Sequence, residues 1–267
     1  MSLYANALSV IRQDLSSQVG DLITGTFASG SGTTGVHTML QKANDYYNEH
    51  HYRCYIYAGA AIGEEREVSD WDLATWTLTF APTFIGTIGA TSKYELHRIF
   101  TEAEYRRAIN MAIQSLANGK YLIDKIDASI TLVADIYEYA LPDGFTWAHR
   151  IITEDTADTG EFDAADEVDP RDWELISPRK LKLHEARFSI TAGLDIRIEG
   201  QGPQTTVDDD ADVIEIPPDW LVNKAITFLP KDKIQSSKLD STYQQALLLS
   251  VKEPRRWPNP EARRVKE

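Results

Sequence analysis

The sequence has a single cysteine, Cys54. It can close no internal disulfide, and a cysteine-rich metal site is excluded. No apolar run is long enough to cross a bilayer, and MSLYANALSV has neither the basic flank nor the apolar core of a signal peptide. Glycine is absent from the position that myristoylation requires. These absences point to a product that stays in the cytosol where it is made. Positive charge is scarce: 27 Lys and Arg face 41 Asp and Glu, for a net charge of −14. Tight binding to nucleic acid is disfavoured, because the counterion-release term needs clustered cations.

Local catalytic signatures are also lacking. There is no Gly-x-Ser-x-Gly elbow. Gly30 and Gly35 have the spacing of a phosphate-binding loop, but Val36 stands where the lysine belongs. His50 and His51 lie near Cys54 without a His-Glu-x-x-His or Cys-x-x-Cys pattern. The acidic stretch from Asp155 puts Ala157 and Thr159 where a calcium loop needs carboxylates, so it reads as a solvated charge run. The prior moves from enzyme to structural or interaction protein. No catalytic residue, metal or cofactor is assigned.

What is present is led by one well-specified helix, Thr101 to Lys120. Thr101 and Glu104 form a capping box, Phe100 and Tyr105 a hydrophobic staple, and Asn118-Gly119 a stop. Tyr105, Ile109, Ala112, Ile113 and Leu116 share a face that should be buried. Residues 1–18 repeat the helical period through Leu3, Ala7, Leu8, Ile11 and Leu15, as do Pro218 to Leu229 and Lys231 to Lys252. From Leu22 to Phe100 the period changes to two. Expected strands are Arg53 to Tyr57, Glu65 to Ser69, Thr75 to Phe80 and Lys93 to Leu96, with Tyr55 and Tyr57 on one face and Cys54 and Ile56 on the other. Gly25 to Gly35 is too poor in large side chains to pack and reads as an exposed loop. A second β region covers residues 121–216, with strands at Ser129 to Val133, Ile136 to Tyr139, Leu181 to Leu183, Leu194 to Glu199 and Val213 to Ile216, around an acidic loop from Glu154 to Asp172. Residues 253–267 hold three prolines and no packing period, so an extended tail is expected.

The implied organisation is an α+β fold: a helical bundle of about four helices carrying two β-rich excursions. Residues 1–20, 101–120 and 217–252 would be the helical core, 21–100 an inserted β module, and 121–216 the second β region.

Three stretches carry a resemblance: Gly63 to Phe84 with the Ser92 to Ile113 segment that feeds an Ala-Ile-Asn helix at Ala108 to Asn110; Ile136 to Phe145 with its Tyr-x-Leu-Pro end; and Val213 to Ala225. Together they resemble the head-to-tail connector (adaptor, neck or head-completion) proteins of tailed bacteriophages. The resemblance implies a virion structural protein of the neck. It would form a ring of about a dozen subunits between portal and tail or head-closure protein. Genomic DNA would pass through the lumen without specific binding, and no membrane is involved. Asn110 takes a structural role. Within that resemblance, Arg255, Arg256, Trp257, Arg263 and Arg264 become a portal-docking element. The alternative is a carbohydrate- or receptor-binding accessory or collar protein of the virion surface, for which Tyr- and Trp-rich β modules are suited.

Overall fold

The computed structural model describes residues 4–116, 121–177 and 180–255. The chain divides into two compact units, one of residues 4–115 and 206–253, the other built on 116–205.

The first unit opens with a two-residue strand, β1 (Asn6–Ala7), and helix α1 (Leu8–Gln18). Gly20, at φ +70°, ends the helix with a left-handed residue that costs glycine nothing. A sheet of seven strands follows: β2 (Ile23–Thr26), β3 (Ser29–Gly30), β4 (Thr34–Val36), β5 (Arg53–Ala58), β6 (Glu65–Asp72), β7 (Thr77–Ala81) and β8 (Lys93–His97). Its order is β2-β8-β5-β6-β7-β4-β3, every pair antiparallel. A short helix, α2 (Tyr46–Glu49), precedes β5 and sets Tyr47 edge-on against the buried Trp71. One face of the sheet is an apolar core of Phe27, Cys54, Ile56, Val68, Trp71, Leu78, Phe80, Tyr94 and Leu96.

Helix α3 (Glu102–Ser115) has its capping box in place: Thr101 N–H donates to Glu104 Oε2 at 2.8 Å and Glu104 N–H to Thr101 Oγ1 at 3.2 Å. The Phe100 and Tyr105 rings meet at 5.5 Å. Tyr105, Ile109, Ala112, Ile113 and Leu116 are all buried. Asn118 and Gly119 lie outside the described residues.

The second unit has six strands: β9 (Ile123–Thr131), β10 (Glu138–Ala140), β11 (Trp147–Thr153), β12 (Trp173–Ser177), β13 (Lys180–Leu183) and β14 (Asp195–Gly202). They form two three-stranded antiparallel sheets, β11-β14-β9 and β10-β13-β12. Ile151, Trp173, Leu181, Leu183, Ile196 and Ile198 fill its core.

The chain then returns to the first unit through β15 (Val213–Ile214), which pairs with β1, and helices α4 (Pro218–Ile226), α5 (Lys231–Ser236) and α6 (Asp240–Leu249). Pro218 sits in the first turn of α4, where its absent N–H leaves nothing unpaired. Helix α4 packs on α1, α3 and α6.

The expectation of a helical bundle is overturned. The described residues hold 15 strands in four sheets, and strand residues outnumber helical ones. The helices do meet, yet they are short, and each β region has its own apolar core. Further corrections are local. The segment Gly25 to Gly35 is β2, β3, β4 and the buried Phe27, not an exposed loop. Its glycines answer to close approach, since a Cβ on Gly35 would lie 2.5 Å from the Phe27 ring. The strand expected over Thr75 to Phe80 begins only at Thr77, because Trp76 is an exposed turn residue at φ +51°. The helix expected over Lys231 to Lys252 is two, broken where Lys238 turns left-handed at φ +59°.

Candidate functional site

The densest set of charged groups lies inside the first unit. It begins with an arginine on the apolar face of α1. Leu8, Ile11, Arg12, Leu15 and Ser16 are the buried residues of that helix, so the helical period carries Arg12 into the interior. Strand β8 is buried on both faces: Tyr94 and Leu96 point into the sheet core, while Glu95 and His97, two residues apart, share the other face.

Arg12 and Glu95 meet as a fork. Arg12 Nε donates to Glu95 Oε2 at 2.8 Å and Nη2 to Oε1 at 3.0 Å, a bidentate geometry that suits a planar guanidinium. Arg12 Nη1 donates to Asp210 Oδ1 and stands 3.6 Å from Glu102 Oε1. The guanidinium stacks 4.4 Å from the Tyr55 ring centroid, and the Tyr55 hydroxyl donates to Asp210 Oδ2 at 2.8 Å. Gln13 adds a bond to Glu95 at 3.0 Å. Burial pulls the Arg12 pKa down, but Glu95 and Asp210 more than offset that and hold it above its ordinary value. Burial pushes the Glu102 carboxyl up, against the pull of Arg106 and Arg12.

His97 lies in the same layer, wholly buried, with its Nε2 3.5 Å from Glu95 Oε2 and its ring edge-on to Tyr105. Neither ring nitrogen has a hydrogen-bond partner among the described residues. Burial and the nearby Arg12 push its pKa down to about 3, so the imidazole is neutral. Beside it, Asp21 accepts the backbone N–H groups of Arg98, Ile99 and Phe100 at 2.7, 2.8 and 2.9 Å and the Tyr105 hydroxyl at 2.9 Å. Burial raises the Asp21 carboxyl more than these four bonds lower it.

This cluster joins α1, β5, β8, the start of α3 and the 207–212 segment. Asn110 strengthens the last link, donating to Val207 C=O at 2.8 Å and accepting Val207 N–H at 2.9 Å. The charges are directed at one another, and Arg12, Glu95 and His97 are closed to solvent. What the arrangement does is fasten the returning chain to the sheet.

The other residues singled out in the sequence are placed as follows. Cys54 is buried, and burial raises its thiol well above the ordinary range. His51 is exposed and lies 3.6 Å from Glu67. Tyr46, Tyr47 and Tyr52 pack on one another and, through Tyr47, on Trp71, away from Tyr55 in the charged cluster. In the acidic loop, carboxylate oxygens of Asp155, Asp163 and Asp166 come within 4.8 Å of one another. The loop is anchored by Glu154, which accepts N–H bonds from Gly160 at 2.5 Å and Asp195 at 2.9 Å. Of the docking residues, Arg255 is exposed. Arg256, Trp257, Arg263 and Arg264 lie outside the described residues. The core helix residues Tyr105, Ile109, Ile113 and Leu116 are buried.

Two features escaped the sequence reading. The buried Arg12 was signalled by its place among Leu8, Ile11 and Leu15. The other is the end of α6, where Leu248, Leu249 and Val251 are 76%, 54% and 77% exposed, within the span 217–252 expected to be helical core. No family model and no curated protein matches the chain.

Proposed function

We propose that the chain is a ring-forming structural subunit of a tailed-bacteriophage neck, an adaptor between portal and tail that continues the DNA channel. The observation that carries an assembly role is the exposure of three aliphatic side chains, Leu248, Leu249 and Val251, within four residues at the end of α6. Aliphatic side chains clustered in this way and left to water mark a surface that a partner covers. The sequence resemblance supplies the kind of assembly. The acidic balance agrees with it, because a wall that does not attract phosphate lets DNA slide.

In this reading residues 253–267 dock on the portal. Five cations of that segment, Arg255, Arg256, Arg263, Arg264 and Lys266, stand out on an otherwise acidic chain, with Trp257 among them as an anchor. The test is electron microscopy of the chain mixed with portal protein. Closed rings stacked on portal are expected. They should be lost in Leu248→Asp/Val251→Asp, and attachment should weaken when residues 253–267 are removed. Single copies that ignore portal, or a chain that instead binds glycan, would overturn the reading.

A further inference from the structure

Among its described residues the first unit has a cationic recess. It has a volume of about 490 Å³ and is lined by Arg98, Ile99, Lys233, Ser236, Ser237 and Lys238. Lys233 already has a carboxylate, Glu104 at 2.7 Å. The side chains of Arg98 and Lys238 have no carboxylate partner among the described residues, although the chain carries 41 acidic groups to 27 basic ones. The recess lies at the end of α5, where exposed carbonyls would repel an anion. Here they are occupied: the N–H groups of Ser237, Lys238 and Leu239 bond to the carbonyls of Lys233, Gln235 and Ile234 at 3.0, 3.2 and 2.9 Å. A guanidinium, an ammonium and a serine hydroxyl around an open concavity make a receptor for an oxyanion.

The second unit presents the opposite imbalance. Asp155, Asp163 and Asp166 converge within 4.8 Å, and no ion pair holds any of them among the described residues. Asp158 and Glu161 beside them are exposed. Three like charges at that separation repel, and an approaching cation relieves them.

We infer that these are the two halves of one interface: the recess around Arg98 and Lys238 of one subunit receives the carboxylates of the 154–172 loop of the next copy. Two different, complementary patches on a single chain make a head-to-tail contact, and such contacts generate rings when the rotation closes. The inference rests on the ring reading for the presence of a neighbouring copy. Local charge complementarity selects the occupant: the recess is lined by Arg98, Lys233 and Lys238, and the loop of a second copy offers Asp155, Asp163 and Asp166.

The test has two arms on the full chain at low salt. In the first, a synthetic peptide of residues 154–172 is titrated against the chain by fluorescence anisotropy. Binding is expected, with a loss of about tenfold or more in Arg98→Glu/Lys238→Glu, the size typical of close interfacial charge pairs. A peptide with Asn at 155, 158, 163 and 166 should not bind. In the second arm, sedimentation velocity follows self-association. Arg98→Glu/Lys238→Glu and Asp163→Lys/Asp166→Lys should each shift it to higher concentration, and the chain carrying all four changes should recover it.

Peptide binding indifferent to the recess variant, or charge reversals that leave self-association unchanged, would overturn the inference. So would a recess that saturates with inorganic phosphate while self-association stays the same, because its occupant would then be a small oxyanion. Rings on portal that survive both charge reversals would sink the interface and leave the neck reading standing. Recess-dependent association without any binding to portal would do the reverse.

Discussion

The two units bury different chemistry. The first places a guanidinium, several carboxylates and a histidine in its interior, while the second keeps an aliphatic and aromatic core and leaves its ion pairs at the rim. Arg150 reaches Glu167 at 3.0 Å and Glu199 at 3.5 Å, and Lys180 meets Glu138 at 2.7 Å, all with side chains partly open to water. The first unit must hold together segments far apart in sequence, residues 12, 95 and 210. Buried charge fixes such a junction with directional bonds; rim charge adjusts a sheet that apolar packing already specifies. The contrast teaches that the same residue types do unequal work according to their access to solvent.

The largest expected effect breaks or upholds this contrast directly. Arg12→Met leaves Glu95 and Asp210 in the interior without their cation and should cost about 3–5 kcal/mol in denaturant unfolding. Arg150→Met in the second unit should cost less than about 1 kcal/mol. Equal losses would mean that the buried cluster is no more than a surface network.

A second prediction sharpens the comparison through pH. The folded-state pKa of His97 is depressed to about 3 from an ordinary 6.5. The folded state therefore binds fewer protons than the unfolded chain, and stability is lost as pH falls from about 6.5 towards 3, by up to about 1.4 kcal/mol per pH unit. Asp21, Glu65 and Glu102 are shifted upwards by burial and act with the opposite sign, gaining stability as pH falls. His97→Leu isolates the histidine. It should flatten the acid limb relative to wild type while leaving neutral-pH stability the same or higher, because two unpartnered ring nitrogens are removed. An unchanged acid slope in this variant would contradict the burial of a neutral imidazole.

The smallest effect is in the second unit. The N–H bonds from Asp195 and Gly160 hold the Glu154 carboxyl below its ordinary range. Its contribution is therefore present at neutral pH and is lost as pH falls through that depressed value. Glu154→Gln should raise amide exchange across residues 155–163 at neutral pH and leave the sheets protected. Exchange spreading into β9 or β14 would show that the loop anchor supports the whole unit.

How far the sequence revealed this architecture varies by element. Helix α3 was legible almost to its ends because its caps are local: Thr101 and Glu104 need only each other. Strands β5, β6 and β8 were legible as short alternating or aromatic runs. Strands β11 and β12 were not: each sets two apolar residues side by side, Ile151-Ile152 and Leu175-Ile176, which breaks the period of two on which strand recognition relies. Segment 25–35 was misread because Gly35 is small to admit Phe27, so a packing demand looked like an absence of packing. The cluster at Arg12 could be suspected from the helical face but not completed, since Glu95 and Asp210 are 83 and 198 residues away. The bundle reading failed for a related reason: capped helices announce themselves strongly, and short strands do so weakly.

The excursion of the chain also sets an order of events during synthesis. Residues 4–115 are made first, yet α4 and Asp210 arrive only after the 90 residues 116–205 have been added. At typical translation rates of 5–20 residues per second that interval is roughly 5–18 s. Throughout it, the apolar faces that α1 and α3 turn to α4 have no cover from that helix, and Arg12 holds Glu95 without Asp210. The second unit closes on itself in the meantime, since all six of its strands pair with one another. The first unit therefore cannot complete its core before residues 206–253 have been made, which leaves the surfaces that α4 covers as the last to close.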